Sequence, residues 1–285
     1  MQLITKAIPR THKIYLFGDT HEGTILKHKS GIAKMIEMIL SEPHSYAIHM
    51  GDMVEGRNVD DSKYDIDTVD PKSKTVFKQY KNAVAELKPI AHRMITQLFG
   101  NHDDMAGRGE DLVRDYVCPE LGIPYGTFSS VISMVDTKGK LMYKIHATHG
   151  RRNIGSNSPD PLRKEANELM QLQAHMGPIM SDCAIHVKGH THKLRVKKPI
   201  HELCITSLDS KKRKRINQGY TTTDQTAEYI PKDLRWYVNS GCFYKLYELG
   251  VSGYAEKAEY PPNELGFAIV HVERGKIKDI TREMI

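Results

Sequence analysis

The chain has 285 residues, with 39% hydrophobic and 27% charged residues. That is the balance of an ordinary globular protein with room for a sizeable core, and it excludes a disordered or fibrous chain. No apolar run approaches the ~20 residues that span a bilayer, and Met1-Gln2-Leu3-Ile4-Thr5-Lys6 lacks the apolar stretch of a signal peptide, so a cytoplasmic protein with no membrane role is expected. The net charge of +6 is compatible with acidic partners such as phosphate or nucleic acid, but charge alone favours plain solubility.

In chain order, Lys13-Ile14-Tyr15-Leu16-Phe17 reads as a buried strand ending at Gly18, followed by Asp19 and His21. In extended backbone, residues two apart face the same way, so one carboxylate and one imidazole can meet a single ion. Ile32, Met35, Ile36, Ile39 and Leu40 recur at helical spacing and predict an amphipathic helix from Ser30 to Ser41. A second strand, Ser45 to Met50, runs into Gly51-Asp52-Met53-Val54-Glu55. Arg57 to Asp70 is a polar excursion and Ser73 to Leu87 a second helix. Arg93 to Phe99 is a third strand, delivering Gly100-Asn101-His102-Asp103.

Gly109 to Tyr116 is a short helix, and Ser129 to Val135 with Leu141 to His146 form a hairpin leading to Thr148-His149-Gly150. Pro161 to His175 is a third amphipathic helix, with Leu162, Ala166, Leu169, Met170 and Leu172 as its apolar positions. The strand Cys183 to Val187 then precedes Gly189-His190-Thr191-His192. Alternation in Leu203-Cys204-Ile205 and Trp236-Tyr237-Val238 predicts a second, more antiparallel sheet, and Phe267 to Val272 with Lys276 to Ile280 a closing hairpin. With no internal repeat or linker, 1–285 reads as a single domain of the α/β class. Cys118, Cys183, Cys204 and Cys242 form no Cys-x-x-Cys pair and read as reduced, packed thiols.

Five short motifs thus follow five strand ends, the usual place for sites in α/β sheets. Their ligand candidates are Asp19, His21, Asp52, Asn101, His149, His190 and His192. Carboxylate, amide and imidazole without thiolate suit manganese, iron, zinc or nickel. Seven ligands are too many for one ion and right for two if one carboxylate bridges. Two such ions about 3.5–4 Å apart clamp a phosphoryl group and turn a bridging water into hydroxide for in-line attack.

The arrangement resembles the calcineurin-like metallophosphoesterase family, from about Ile14 to Asn239, on five motifs in that family's order. Trp236-Tyr237-Val238-Asn239-Ser240-Gly241 looks like the Val-Asn-x-Gly strand end of its bacterial and phage phosphodiesterase branches. The resemblance implies a four-layer αββα sandwich with two mixed β-sheets flanked by helices and a dinuclear metal site at the sheet edge. It implies two divalent ions, manganese first. Asp19, His21 and His192 would hold one, Asn101, His149 and His190 the other, and Asp52 would bridge. His102 corresponds to the proton donor, and Glu55 to the acid that supports it in the phosphoprotein phosphatase branch. That branch carries Gly-Asp-x-Val-Asp-Arg-Gly; here Gly56 takes the arginine's place and Arg57 comes one residue later, which counts against a protein-phosphatase reading.

The expected function is therefore a phosphodiesterase acting on nucleic acid or a nucleotide, with DNA and RNA as candidate partners and the oligomeric state open. The alternatives are a phosphomonoesterase or phosphoprotein phosphatase, and a nucleic-acid-binding module with a vestigial metal site. Arg151 and Arg152, directly after His149, are candidates for the scissile phosphate. The run Lys211-Lys212-Arg213-Lys214-Arg215 is a solvated loop or a contact to a polyanion. Tyr220, Tyr229, Trp236 and Tyr237, near that run in sequence, are compatible with base stacking. Arg57 to Asp70 and Asn217 to Asp233 are expected to shape the cleft, with His28 a further candidate for substrate. Asp103 competes with Glu55 for the place beside His102. His49, His146, His186 and His271 read as packed in strands, and His12, His44, His92, His175 and His201 as surface or element-end residues.

Overall fold

The computed structural model describes residues 1–57, 60–61, 64–107, 109–210 and 213–285. The chain opens with β1 (Gln2–Ala7) and β2 (His12–Phe17), then α1 (Lys29–Ser41) and β3 (Ser45–His49). Ile32, Met35 and Ile39 bury one face of α1, and His28 caps it by accepting from Gly31 N. That gives His28 a local structural role. After the 57–70 segment come α2 (Val76–Leu87), β4 (Met94–Gln97) and α3 (Asn101–Gly107). The last is a helical turn that the sequence pattern does not show. The helix expected at 109–116 is instead a π-type turn, Val113–Val117, continuing into α4 (Cys118–Leu121).

The hairpin β5 (Ser129–Val135) and β6 (Leu141–Thr148) is followed by α5 (Pro161–Met176). Asp160 caps α5 through Leu162 N and Arg163 N, with Pro161 in its first turn. The helix stands where periodicity puts it, but its buried face is Glu168, Leu172 and Met176, while Leu162 and Met170 face solvent. Next come β7 (Ile185–Lys188), β8 (Leu194–Lys197), β9 (Leu203–Ser210), β10 (Arg213–Tyr220) and β11 (Trp236–Ser240). The chain closes with α6 (Tyr254–Lys257), β12 (Gly266–Glu273) and β13 (Lys276–Met284).

Two mixed sheets result, in the orders β1-β5-β6-β7-β11-β8 and β13-β12-β2-β3-β4. They pack face to face. Ile14, Leu16, Ile48 and Ile95 of one meet Ile132, Ile145, Val187 and Val238 of the other in a single buried cluster. The opposite faces carry the helices. Tyr15, Phe17 and Ala47 pack with residues of α1 and α2, and Tyr237 packs with Leu172 and Met176 of α5. The layers are therefore α, β, β, α. Trp236–Ser240 is no part of a separate antiparallel sheet: it runs parallel to β7 inside the six-stranded sheet. Leu203–Ser210 pairs only with β10, as a separate antiparallel ribbon.

Four further expectations meet their structure here. His49, His146 and His186 are buried in strands, and His271 is partly exposed. His12 is also buried, between Pro9 O and the Tyr143 hydroxyl, because β2 begins one residue earlier than its apolar run. The four cysteines are unpaired. Among the described residues no helix is long and apolar enough to cross a membrane.

Candidate metal centre

The parallel strands β2, β3, β6 and β7 all end at one edge of the sandwich, and so do the loops that follow them. The Asp19 loop lies on the Asp52 loop through Asp19 N→Gly51 O (2.9 Å) and Thr20 N→Asp52 O (3.0 Å). Asp19 (φ 50°), His21 (46°), Asp52 (52°), His190 (73°) and His192 (52°) all have left-handed backbone. Each such residue costs about 1–2 kcal/mol, and such strain gathers at functional sites. The extended backbone expected between Asp19 and His21 is therefore replaced by alternating left-handed turns, repeated at His190 and His192.

The side chains converge in two groups. Asp19, His21 and His192 place one ligand atom each within 4.8 Å of one another, and so do Asp52, His149 and His190. Asp52 also groups with His21 and His102, so it stands between the two. Asn101 Oδ1 completes the second group, 2.9 Å from His149 Nε2 and 2.7 Å from His190 Nδ1.

The hydrogen bonding shows that a cation fits. His149 donates from Nδ1 to Met50 O (2.9 Å). In the neutral ring its Nε2 lone pair then faces two acceptors, Asn101 Oδ1 and Asp52 Oδ2 (3.3 Å). His21 likewise donates from Nδ1 to Glu55 Oε2 (2.8 Å) and turns Nε2 toward His192 Nε2 (3.2 Å) and its own group. Lone pairs aimed at lone pairs call for positive charge between them.

The titration behaviour shows the negative field of the two aspartates, which a proton on His149 answers when no metal is bound. Burial opposes charging of His149, but Asp52 and Asp19 outweigh it and carry the ring up to about 9. Burial also opposes ionisation of Asp52, yet His149 and His102 hold it well below the usual carboxylate range. His190 is pushed down to about 4, by burial first and then by His149, and is a neutral ligand at pH 7.

His102, the second residue of α3, is held by Asp52 Oδ1, which accepts from its backbone N (2.8 Å). Its Nδ1 donates to the carbonyl oxygen of Glu55 (2.7 Å), whereas the Glu55 carboxylate is 3.8 Å away. The carboxylate goes instead to His21 Nδ1 and to Arg57 Nε (2.7 Å). The expected Glu55–His102 dyad is thus redistributed: main chain orients His102 and side chain orients a ligand histidine. Burial disfavours charged His102, but Glu55 and Asp52 prevail and raise its pKa. Asp103 does not compete for this place. It is fully buried, accepting from Gly100 N, Met53 N and the Tyr80 hydroxyl, and ties two ligand loops together.

A cleft of about 420 Å³ opens over Asp52, Asn101, His102, His190 and His192. Arg57, which motif comparison treats as a misplaced arginine, lines it with Nη2 3.4 Å from His102 Nε2. Tyr244, Tyr254, Tyr260 and Asn263 line it as well, and no motif marks them. Their only signal in the sequence is density of tyrosine after a buried strand end. Asn239 bonds Thr191 Oγ1 (2.6 Å), between the paired histidines.

Other expected contributors are placed as follows. Arg151 is exposed and pairs with Asp104 (2.9 Å), Arg152 is exposed, and the cleft lining includes their neighbour Asn153 instead. Of the two segments expected to shape the cleft, 57–70 does so through Arg57, Asp65 and Thr68. Asn217 to Asp233 does not. β8 starts beside the site at Leu194, opposite Ser240, and leaves at Lys197, opposite Tyr237. The β9–β10 ribbon and Tyr229 are therefore rooted at the far end of the sheet. Arg213, Lys214 and Arg215 sit on that ribbon, exposed, while Lys211 and Lys212 lie outside the described residues.

No protein-family profile and no curated protein matches the chain. Among solved structures it is similar to a predicted phosphoesterase from Streptococcus pneumoniae TIGR4, at 12% identity over 96% of this chain and 98% of that one, TM-score 0.32. It is also similar to Vps29 from Chaetomium thermophilum, at 13% over 96% and 96%, TM-score 0.36. A third is the calcineurin-like phosphoesterase YfkN from Bacillus subtilis, at 12% over 97% and 91%, TM-score 0.39. At these scores the functional reading rests on the site itself.

Proposed function

We propose that the protein is a metal-dependent phosphoester hydrolase of the calcineurin-like kind, acting as a phosphodiesterase on a nucleotide or nucleic acid. The observation that carries this reading is the pair of ligand groups linked through Asp52, which also clusters with His21 of the first group and with His102, in one cleft. Asp19, His21 and His192 would hold one divalent ion and Asn101, His149 and His190 the other. Such a pair supplies charge for the phosphoryl oxygens and activates water at neutral pH. The chain's own residues do the rest. Glu55 fixes the His21 tautomer through Nδ1. The Glu55 carbonyl fixes His102 at Nδ1 and turns Nε2 toward Arg57 Nη2 in the cleft; with the phosphate on Arg57, Nε2 would give the departing oxygen the proton of the charged ring, which Glu55 and Asp52 favour and Arg57 opposes. Arg57 is held by Glu55 and Asp61 (2.7 Å each) and offers Nη2 to the phosphate.

Arg57 also favours a second reading, a phosphomonoesterase, because a dianionic terminal phosphate gains most from a guanidinium. One experiment separates the readings. Metal-stripped protein reloaded with manganese is assayed on bis-p-nitrophenyl phosphate and on p-nitrophenyl phosphate, with His102→Ala alongside. Diester turnover that falls about 10²–10⁴-fold in His102→Ala, with both metals retained, is expected. Turnover confined to the monoester moves the substrate to the phosphatase class. Two bound metals without turnover on either substrate, or on DNA, RNA or a dinucleotide, refutes both enzyme readings in favour of a binding module.

A further inference from the structure

The wall of the cleft opposite the ligand loops is built by the 244–263 segment. Its start is anchored by Phe243, whose ring packs against Phe17 and Phe267 at 6.4 and 6.1 Å. Its end returns through Glu264 N→His192 O (3.3 Å) to β12. Between these anchors it is tied across the cleft rim by Lys245 N→Leu26 O (2.9 Å) and by the Lys257–Asp65 ion pair (2.9 Å). The Asn263 amide bonds Tyr244 O (2.9 Å) and lies 3.0 Å from His192 Nδ1. The segment is therefore fixed to the metal centre through His192 and to the cleft rim at Leu26 and Asp65.

What it presents to the cleft is aromatic and neutral. Tyr244 lies at 4.7 and 5.7 Å from the His21 and His192 rings. Further out stand Tyr254 and Tyr260, edge to face at 5.7 Å, and 39% and 46% exposed. Rings that exposed, on a cleft wall, are not core filler. The acids nearby are already paired: Glu55 with His21 and Arg57, Asp65 with Lys257. A second charged group on the substrate gains nothing at this wall, whereas a planar ring does. At about 420 Å³ the cleft lies in the range of sites that enclose a drug-sized molecule, and Asn153 adds a polar amide to its lining.

Building on the phosphodiesterase reading, we propose that Tyr254 and Tyr260 form a stacking subsite for a nucleobase whose phosphate sits at the metal centre. The substrate is then a nucleoside phosphodiester, selected by its base at this wall. Stacking of one base on an aromatic side chain is sequence-tolerant, so the subsite distinguishes nucleotides from small phosphoesters without choosing among bases.

The test is calorimetric binding of adenosine monophosphate, phenyl phosphate and inorganic phosphate to manganese-loaded full-length protein, wild type against Tyr254→Ala/Tyr260→Ala. Phosphate affinity reads the metal centre, and the ratio of adenosine monophosphate to phosphate affinity reads the subsite. The wild-type ratio is expected to be about tenfold or more. The double alanine variant brings it near one with phosphate affinity unchanged, and Tyr254→Phe/Tyr260→Phe restores it. A ratio near one in the wild type, an unchanged ratio in the alanine variant, or phenyl phosphate binding as well as the nucleotide overturns the subsite and leaves the phosphoesterase reading intact. A wild type that binds no phosphate refutes that reading and this proposal together.

Discussion

Replacing Glu168 with alanine tests how the paired histidines are held in place. Glu168 faces inward from α5 with no solvent exposure. Its carboxylate receives Lys193 Nζ on one oxygen and Arg195 Nε (2.8 Å) and Nη2 (2.7 Å) on the other. Removing one partner of a buried ion pair costs about 3–5 kcal/mol, because the remaining charge keeps its desolvation penalty. Two features pull the value to the lower end. Lys193 is 26% exposed and can turn to water, and Arg195 keeps its bond to Glu264. A loss of about 3 kcal/mol is expected from urea denaturation of metal-stripped protein, and a smaller one for Glu168→Gln. The function is touched too, because Lys193 directly follows His192. Manganese affinity, read by calorimetry, is expected to fall about 10–100-fold, as when groups supporting a ligand are removed. A stability change under about 1 kcal/mol with unaltered manganese binding would show that α5 does not position the loop.

Gly100→Ala attacks the proposed bridging ligand, since a Cβ there would lie 2.1 Å from Asp52 Oδ1 and 2.2 Å from Asp52 N. Elemental analysis is expected to show the loss of both metals, and two retained metals with wild-type turnover would contradict that. A pH prediction comes from imidazoles away from the metal centre. Burial first of all pushes His12 and His146 down to about 4 and His186 to about 3. These rings stay neutral in the fold and take up protons on unfolding, so their stability is complete above pH 6.5 and is lost as the pH falls toward 4. The drop from 6.5 to about 4 is worth about 3 kcal/mol for His12 alone. His12→Gln is accordingly expected to flatten the urea stability slope of metal-stripped protein between pH 6.5 and 4. An unchanged slope counts against the buried neutral ring.

The sequence by itself determined the strands that lead to the site and named the candidate ligands that the fold brings together. A buried parallel strand is a continuous apolar run, and the loop at its end is punctuated by glycine, so Asp19, Asp52, Asn101, His149 and His190 are marked by position as well as type. Helix periodicity likewise located α1 and α5. What it could not supply is phase and partnership. The buried face of α5 is set by Glu168, whose burial is intelligible only once Lys193 and Arg195 are known to lie across from it. Glu55 was legible as a functional acid, but a carboxylate within reach of two imidazoles is allotted by loop geometry, and the left-handed turns give it to His21. Arg57 and the tyrosines of 244–263 reach the cleft because the chain folds back over it, a fact with no local signature. The basic run drew attention through its charge density, which is local. The root of the ribbon that bears Arg213, Lys214 and Arg215 is set at the far end of the sheet by β8 running antiparallel to β11 and leading the chain away, and strand direction is decided only when the sheet assembles.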